Sequence, residues 1–318
     1  MTKNTAASVR ARLSNQARAS RRPFQEALQH YGLERFLYRL GRSSFGGRFV
    51  LKGGLLLRAW GAPMARPTRD IDLLGFVENE IGVLEAIMRE VCAAPVAEDG
   101  LVFDGGSVRG QRIKEGAEYQ GVRITFTGFL DNARLPMQLD IAFGDVVHPR
   151  AEEHDYPTLL DLPAPRLRMY PRESVVAEKF EAMVHLGTLN SRMKDFFDLW
   201  LLASQFDFRG SDLALAVEKT FAHRGTPLDP EPVALTAAFT SAESTQRQWV
   251  AFAKRSQLGG EPRALDDLRE PLRQFLLPVV SALIGGRAFD LQWKQAGPWD
   301  DVRAGGVNET TTGDGGDE

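Results

Sequence analysis

Two short segments of this 318-residue chain place residues that could bind a charged ligand close together. The first is Lys52-Gly53-Gly54. The second is Arg66-Pro67-Thr68-Arg69-Asp70-Ile71-Asp72. In an extended strand successive side chains alternate faces, so Asp70 and Asp72 point the same way. Paired carboxylates bind hard divalent cations such as Mg²⁺, with Mn²⁺ as the alternative. The glycines let a backbone turn approach a ligand closely, and a helix beginning near Leu55 would direct N–H groups and partial positive charge at phosphate. Together these features suit a metal-bound nucleoside triphosphate. Lys52 could reach a phosphate or could simply be solvated.

A third carboxylate is expected from a neighbouring strand. Asp140 interrupts the apolar run Leu139-Asp140-Ile141-Ala142-Phe143. A buried carboxylate is costly without a cation, so Asp140 should meet either a metal or a nearby arginine. Further along, Glu178-Lys179 sits within an apolar helical pattern. Arg192-Met193-Lys194-Asp195-Phe196-Phe197-Asp198 opens the next helix, with Lys194, Asp195 and Asp198 on one face. Each piece alone is common. Asp-x-Asp also occurs in metal-dependent glycosyltransferases, and an i,i+4 charge pair is ordinary on a helix surface.

The elements that must position these residues divide the chain in two. Phe49–Leu51 reads as a short buried strand leading into the glycine pair. Thr68–Phe76 is the carboxylate strand, Asn79–Cys92 a helix, Leu101–Phe103 a short strand. Residues 110–130 form a hairpin turning at Gln120-Gly121, and Pro136–Val147 is a further strand. Residues 7–42 are helical, with Gly32 as the break between two helices. After the proline cluster Pro157, Pro163, Pro165 and Pro171 the pattern becomes helical throughout. The expected organisation is an α/β domain with a mixed sheet over residues 1–165, a helical domain over 166–303 that completes the site, and a disordered Gly/Thr/acid-rich tail over 304–318.

Composition excludes several alternatives. Hydrophobic residues make up 43% of the chain and charged residues 25%, ordinary values for a globular protein. The net charge is −3, so any nucleic-acid contact must come from a local basic patch. The single cysteine, Cys92, rules out an internal disulfide and a Cys-rich zinc site, and reads as a buried small hydrophobe. No apolar run approaches a membrane span and no secretory signal opens the chain, so a cytoplasmic location is expected. Arg10, Arg12, Arg18, Arg21 and Arg22 make the first helix basic. That set reads first as a solvated helix face, with an RNA-contacting arm as the alternative.

Taken in order, the motifs resemble those of the AbiEii/AbiGii nucleotidyltransferase toxins, which include the MenT-type toxins. The shared marks are Gly53-Gly54, the R-x-T-x-D-x-D run Arg66–Asp72, Asp140, Lys179, and the R-x-K-D-x-x-D run Arg192–Asp198. The resemblance spans roughly residues 48–202. It implies a DNA polymerase β-like nucleotidyltransferase core with a helical C-terminal half. It also implies a nucleoside triphosphate substrate, Mg²⁺, an RNA acceptor such as the tRNA 3′ end, and a cognate antitoxin encoded nearby. By the family pattern Asp70, Asp72, Lys179 and Asp198 are catalytic, and Asp70, Asp72 and Asp140 hold metal. Lys52, Gly53, Gly54, Arg66, Thr68, Lys179 and Lys194 bind the nucleotide. Two alternatives keep the motifs but change the acceptor or the action. One transfers to a small molecule or protein, as in antibiotic modification or AMPylation. The other is a toxin that works by binding alone.

Overall fold

A seven-stranded mixed sheet is the platform on which the carboxylates sit. The structure is a computed structural model and describes residues 2–62, 66–115, 119–258 and 264–301. Two helices, α1 (Thr2–Ala19) and α2 (Phe24–Arg42), precede strand β1 (Phe49–Lys52) and the five-residue helix α3 (Leu55–Ala59). Then come β2 (Ile71–Gly75), α4 (Ile81–Ala93) and the long strands β3 (Leu101–Glu115), β4 (Tyr119–Leu130) and β5 (Ala133–Phe143). The short pair β6 (Glu152–Asp155) and β7 (Arg166–Met169) completes the sheet. The strand order is β3-β4-β5-β2-β1-β7-β6. Pairing is parallel between β2 and β5 and between β1 and β7, and antiparallel elsewhere. Because β7 follows Pro163 and Pro165, the sheet continues into the proline cluster, beyond the expected boundary at residue 165.

The helical part is α5 (Arg172–Leu186), α6 (Met193–Gln205), α7 (Gly210–Arg224), α8 (Ala237–Thr240), α9 (Glu243–Ser256) and α10 (Asp266–Ile284). It is not purely helical. Strands β8 (Phe208–Arg209), β9 (Leu291–Trp293) and β10 (Trp299–Asp301) form a second, three-stranded sheet. Aromatic packing holds this small sheet on α10, with Phe275 against Phe208, Trp293 and Trp299. One hydrophobic core runs from the large sheet (Leu51, Ile71, Leu139) through α5 and α6 (Phe180, Phe197) to Trp249 of α9.

Two further details differ from the sequence reading. The break between the first two helices falls at Arg21-Arg22-Pro23, where Arg21 has φ +54° and Pro23 precedes α2. Gly32 lies inside α2 instead. A Cβ there would come within 2.8 Å of Leu135 Cδ2, so the glycine allows α2 to pack closely on β5. Gln120-Gly121 is not the hairpin turn, because Gly121 pairs with Ile113 within the β3–β4 ladder. The expected disordered tail lies outside the described residues. Cys92 is buried, and burial pushes its thiol up to about 12, which leaves it inert.

Buried charge anchors α2. Asp99 accepts from Arg35 Nε at 3.2 Å and from Arg39 Nη1 at 2.7 Å. Next to this pair, Glu34 is fully buried and accepts the Leu159 N–H at 2.7 Å. Burial pushes its carboxyl up to about 7, despite that hydrogen bond and Arg35. Between the ordinary carboxylate range and pH 7 the native state therefore binds more protons than the unfolded chain. Stability from this group is full below that window and is lost as pH rises through it. Glu34→Gln should accordingly be more stable than the parent by about 2–3 kcal/mol at pH 8 and equal to it near pH 4.5. Urea unfolding at the two pH values checks this.

Candidate active site

Strand register puts four ionic residues in one row across the sheet. Lys52 of β1 pairs with Asp72 of β2, Asp72 with Asp140 of β5, and Asp140 with Arg123 of β4. Residues directly opposite in neighbouring strands share a face, so this row presents cation, carboxylate, carboxylate, cation side by side. Asp70, two residues before Asp72, joins the same face. Oxygens of Asp70, Asp72 and Asp140 lie within 4.8 Å of one another, a spacing that suits a single divalent cation.

The three carboxylates differ in support. Asp140 accepts from Arg123 Nε and Nη2, both at 2.8 Å. The arginine expected as a partner of Asp140 is thus present. Asp70 accepts only the Arg69 N–H at 3.2 Å among the described residues. Asp72 has no hydrogen bond or ion pair among the described residues. Burial and the neighbouring Asp70 push its carboxyl up to about 6, against the pull of Lys194 and Lys52. A carboxylate held in this way, with two more beside it, has the electrostatics of a cation site.

The glycine pair makes this placement sterically workable. Gly53 has φ +75°, and a Cβ there would fall 1.9 Å from Asp72 Oδ2. At Gly54 it would fall 2.6 Å from Thr68 Oγ1 and 3.1 Å from Arg66 Nη2. The closest groups to the glycines are therefore the protein's own Asp72, Thr68 and Arg66. Gly53→Ala combines left-handed backbone with an overlap that must displace Asp72. It should cost about 2–4 kcal/mol of stability and about a hundredfold in turnover. Thermal unfolding and a transfer assay on the same preparation check both.

Lys52 is neither solvated nor free. Its Nζ lies 2.6 Å from Asp145 Oδ2 and 2.9 Å from Glu178 Oε2, with the Tyr170 ring 5.3 Å away. Burial opposes its charge, but Glu178 and Asp145 outweigh that and keep it an ammonium. Arg224 of α7 reaches the same carboxylates, 3.3 Å from Asp145, and pairs with Glu181 at 2.7 Å. This network ties β1 to α5 and α7.

A second network lies between the carboxylate loop and the helical part. Arg66 donates from Nε and Nη2 to the two oxygens of Asp198, at 2.9 and 2.8 Å. Lys179 Nζ lies 2.8 Å from Asp198 and 2.7 Å from Asp195, and Asp195 also accepts from Arg192. Asp198 is fully buried. Burial raises its carboxyl, but Arg66 and Lys179 more than offset this and hold it below the ordinary range. The same holds for Asp195 between Lys179 and Arg192. Asp198 therefore stays ionised and fixes Arg66 and Lys179. It is not placed to shuttle a proton.

Arg66, Thr68, Asp70, Arg192 and Lys194 open onto a cleft of about 1600 Å³. Its lining includes Arg66, Thr68, Arg69, Asp70 and Gln138 on the sheet side and Arg192, Lys194, Phe252 and Arg255 from α6 and α9. The other expected site residues, Lys52, Gly53, Gly54, Asp72, Asp140, Lys179 and Asp198, do not line it. Among the lining residues, six are arginine or lysine and only Glu26 and Asp70 are acidic. Sequence reasoning missed Arg123, Asp145, Arg134, Arg224 and Arg255. Only Arg123 left a signal, as a charge between Val122 and Ile124 in an alternating strand.

A glycine turn against a strand carboxylate pair, a third carboxylate in register on the next strand and a basic cleft define a nucleotidyltransferase-type site. The sequence profile of the nucleotidyl transferase AbiEii toxins of type IV toxin–antitoxin systems matches residues 35–271. The chain belongs to this family and is a nucleotidyltransferase. Membership implies a nucleoside triphosphate substrate and an antitoxin partner. Two crystal structures from Helicobacter pylori are similar in fold at TM-score 0.44. One, JHP933, shares 16% identity over 79% of this chain and 90% of its own. The other, described only as a candidate nucleotidyltransferase, shares 17% over 82% and 97%. No curated protein matches the sequence. No helix among the described residues is long and apolar enough to cross a membrane.

Proposed function

We propose that this protein transfers a nucleoside monophosphate from a nucleoside triphosphate to the 3′-hydroxyl of an RNA, the tRNA acceptor end being the expected target. The observation that carries this reading is the cleft. At about 1600 Å³ it exceeds the few hundred to ~1000 Å³ typical of small-molecule pockets, and its lining is basic in a chain of net charge −3. A triphosphate leaves much of it empty, and the remaining space suits a polyanionic acceptor.

Asp70, Asp72 and Asp140 would hold Mg²⁺ or Mn²⁺, and the ion, when bound, would supply neutralisation of the triphosphate charge. The protein's own residues do the rest. Arg66, fixed by Asp198, and Lys194 at the start of α6 bind phosphate oxygens. Thr68 and the Gly53-Gly54 turn set the wall against which the triphosphate lies. Arg123 holds Asp140 in position. The acceptor oxygen attacks the α-phosphorus, the bond to the bridging oxygen breaks, and pyrophosphate leaves, while a carboxylate of the triad takes the hydroxyl proton. Lys179 acts from behind, as the partner that sets Asp198 and Asp195.

The test is to follow label from each α-³²P-nucleoside triphosphate, with Mg²⁺, into separate RNA, protein and small-molecule fractions of a cell extract. The reading expects label in RNA, and none once periodate has destroyed the 3′-diol. Label in the protein or small-molecule fraction alone would instead establish the AMPylation or antibiotic-modification alternative.

A further inference from the structure

We propose that helix α1 is an RNA-backbone surface that receives the acceptor's helical stem where it leaves the cleft. This rests on the RNA-acceptor reading above and extends it to a part of the chain the family match does not include, since that match begins at residue 35.

Charge is the first observation. Residues 1–25 contain six of the 39 Lys and Arg residues and none of the 42 Asp and Glu, which leaves the rest of the chain at −9 (33 against 42). So strong a segregation favours a polyanion at this end of the molecule. Exposure is the second. Arg10, Arg12, Arg18 and Arg21 are all exposed, and no carboxylate of the described residues lies within ion-pair distance of any of them. Only Arg22 is paired, with Glu26 at 3.4 Å. Ordinary solvated helix faces intersperse both signs. This one does not.

Place is the third. Ala6, Val9, Leu13 and Ala17 bury one stripe of α1, so the helix is a fixed element and not a loose arm. Arg21 and Arg22 directly precede Pro23, and Pro23, Gln25, Glu26 and Gln29 line the catalytic cleft. The C-terminal end of the basic helix thus adjoins the cleft. Arg10 and Arg18 are eight residues apart, about 12 Å along the axis, enough to follow several phosphates of one strand. Arginine suits such contacts because its planar fork donates to two phosphate oxygens at once. Contacts from these arginines to phosphate fix position and carry no sequence information.

The experiment uses the full chain and two fluorescent RNAs: a 12-base-pair hairpin with a single-stranded 3′ overhang, and the overhang alone. Binding is measured by anisotropy across 50–300 mM salt, for the parent and for R10Q/R18Q/R21Q. The variant should bind the hairpin about tenfold more weakly, with a salt slope lower by about two. It should bind the overhang alone unchanged, and R10K/R18K/R21K should recover most of the hairpin affinity. All three positions are exposed, so the unfolding midpoint should not move. Equal hairpin affinity and equal slope in parent and glutamine variant would overturn the proposal and leave α1 as a surface for an acidic protein. Absence of hairpin binding by the parent would overturn it as well. Binding is read without turnover, so RNA that binds through α1 but is never labelled counts against the acceptor reading alone.

Discussion

Asp72→Asn should abolish transfer while making the protein more stable. Burial and the neighbouring Asp70 push the Asp72 carboxyl up to about 6 in metal-free buffer. Its negative charge is therefore a cost to the folded protein above that pH, since stability from this group is lost as pH rises through the folded value. Asparagine keeps the shape and removes the charge. The unfolding midpoint at pH 8 should rise by a few degrees, in line with about 2–3 kcal/mol. Turnover should fall at least about a thousandfold, because loss of a metal ligand forfeits several kcal/mol of charge stabilisation. Added Mg²⁺ should raise the midpoint of the parent and not that of the variant. Opposite signs for activity and stability are the signature of a residue kept for chemistry, and scanning calorimetry with a transfer assay reads both.

Asp198→Ala should do the reverse to the fold. It would leave Arg66 and Lys179, both largely buried, with only Asp195 between them. Breaking a buried pair from one side typically costs 3–5 kcal/mol, here a fall in unfolding midpoint of roughly 4–8 °C for a chain of 318 residues. Asp198→Asn separates positioning from folding. The amide oxygen can still accept from Arg66, but the charge that fixes both cations is gone. The fold should survive with a smaller loss, and KM for the nucleoside triphosphate should rise at least about tenfold as Arg66 loses its bidentate hold. A variant with unchanged KM and a lowered midpoint would make Asp198 a purely structural residue.

What the sequence disclosed depended on whether the information was local. The period of two in a strand was enough to put Asp70 and Asp72 on one face, and an interrupted apolar run was enough to mark Asp140. The register that lines up Asp72 with Asp140 was not readable, since it is fixed by pairing between strands almost 70 residues apart. Lys52 shows the limit more sharply. Its partners Asp145 and Glu178 lie 93 and 126 residues away, so nothing near Lys52 distinguishes a buried ion pair from a solvated phosphate ligand. The glycine pair was legible as a point of close approach, but not what approaches. That is Asp72 and Thr68 of the same chain.

Length and periodicity account for the errors in the fold. Strand β3 was recognised only at its two ends, because Asp104–Arg109 carries a register shift and glycines that interrupt the alternation. Strands β8, β9 and β10 have two or three residues each, too few to show any period. Gly32 looked like a helix breaker because helix propensity is a local quantity, whereas its place in α2 is set by the approach of Leu135 from β5.

The most direct measurement of the central claim is transfer from an α-³²P-nucleoside triphosphate to purified tRNA, run with parent, Asp72→Asn and Glu34→Gln proteins in Mg²⁺. Label is expected at the RNA 3′ end with the parent and with Glu34→Gln, and at least about a thousandfold less with Asp72→Asn. Labelling by Asp72→Asn at the parent's rate would contradict it, as would a parent that labels no RNA with any of the four triphosphates.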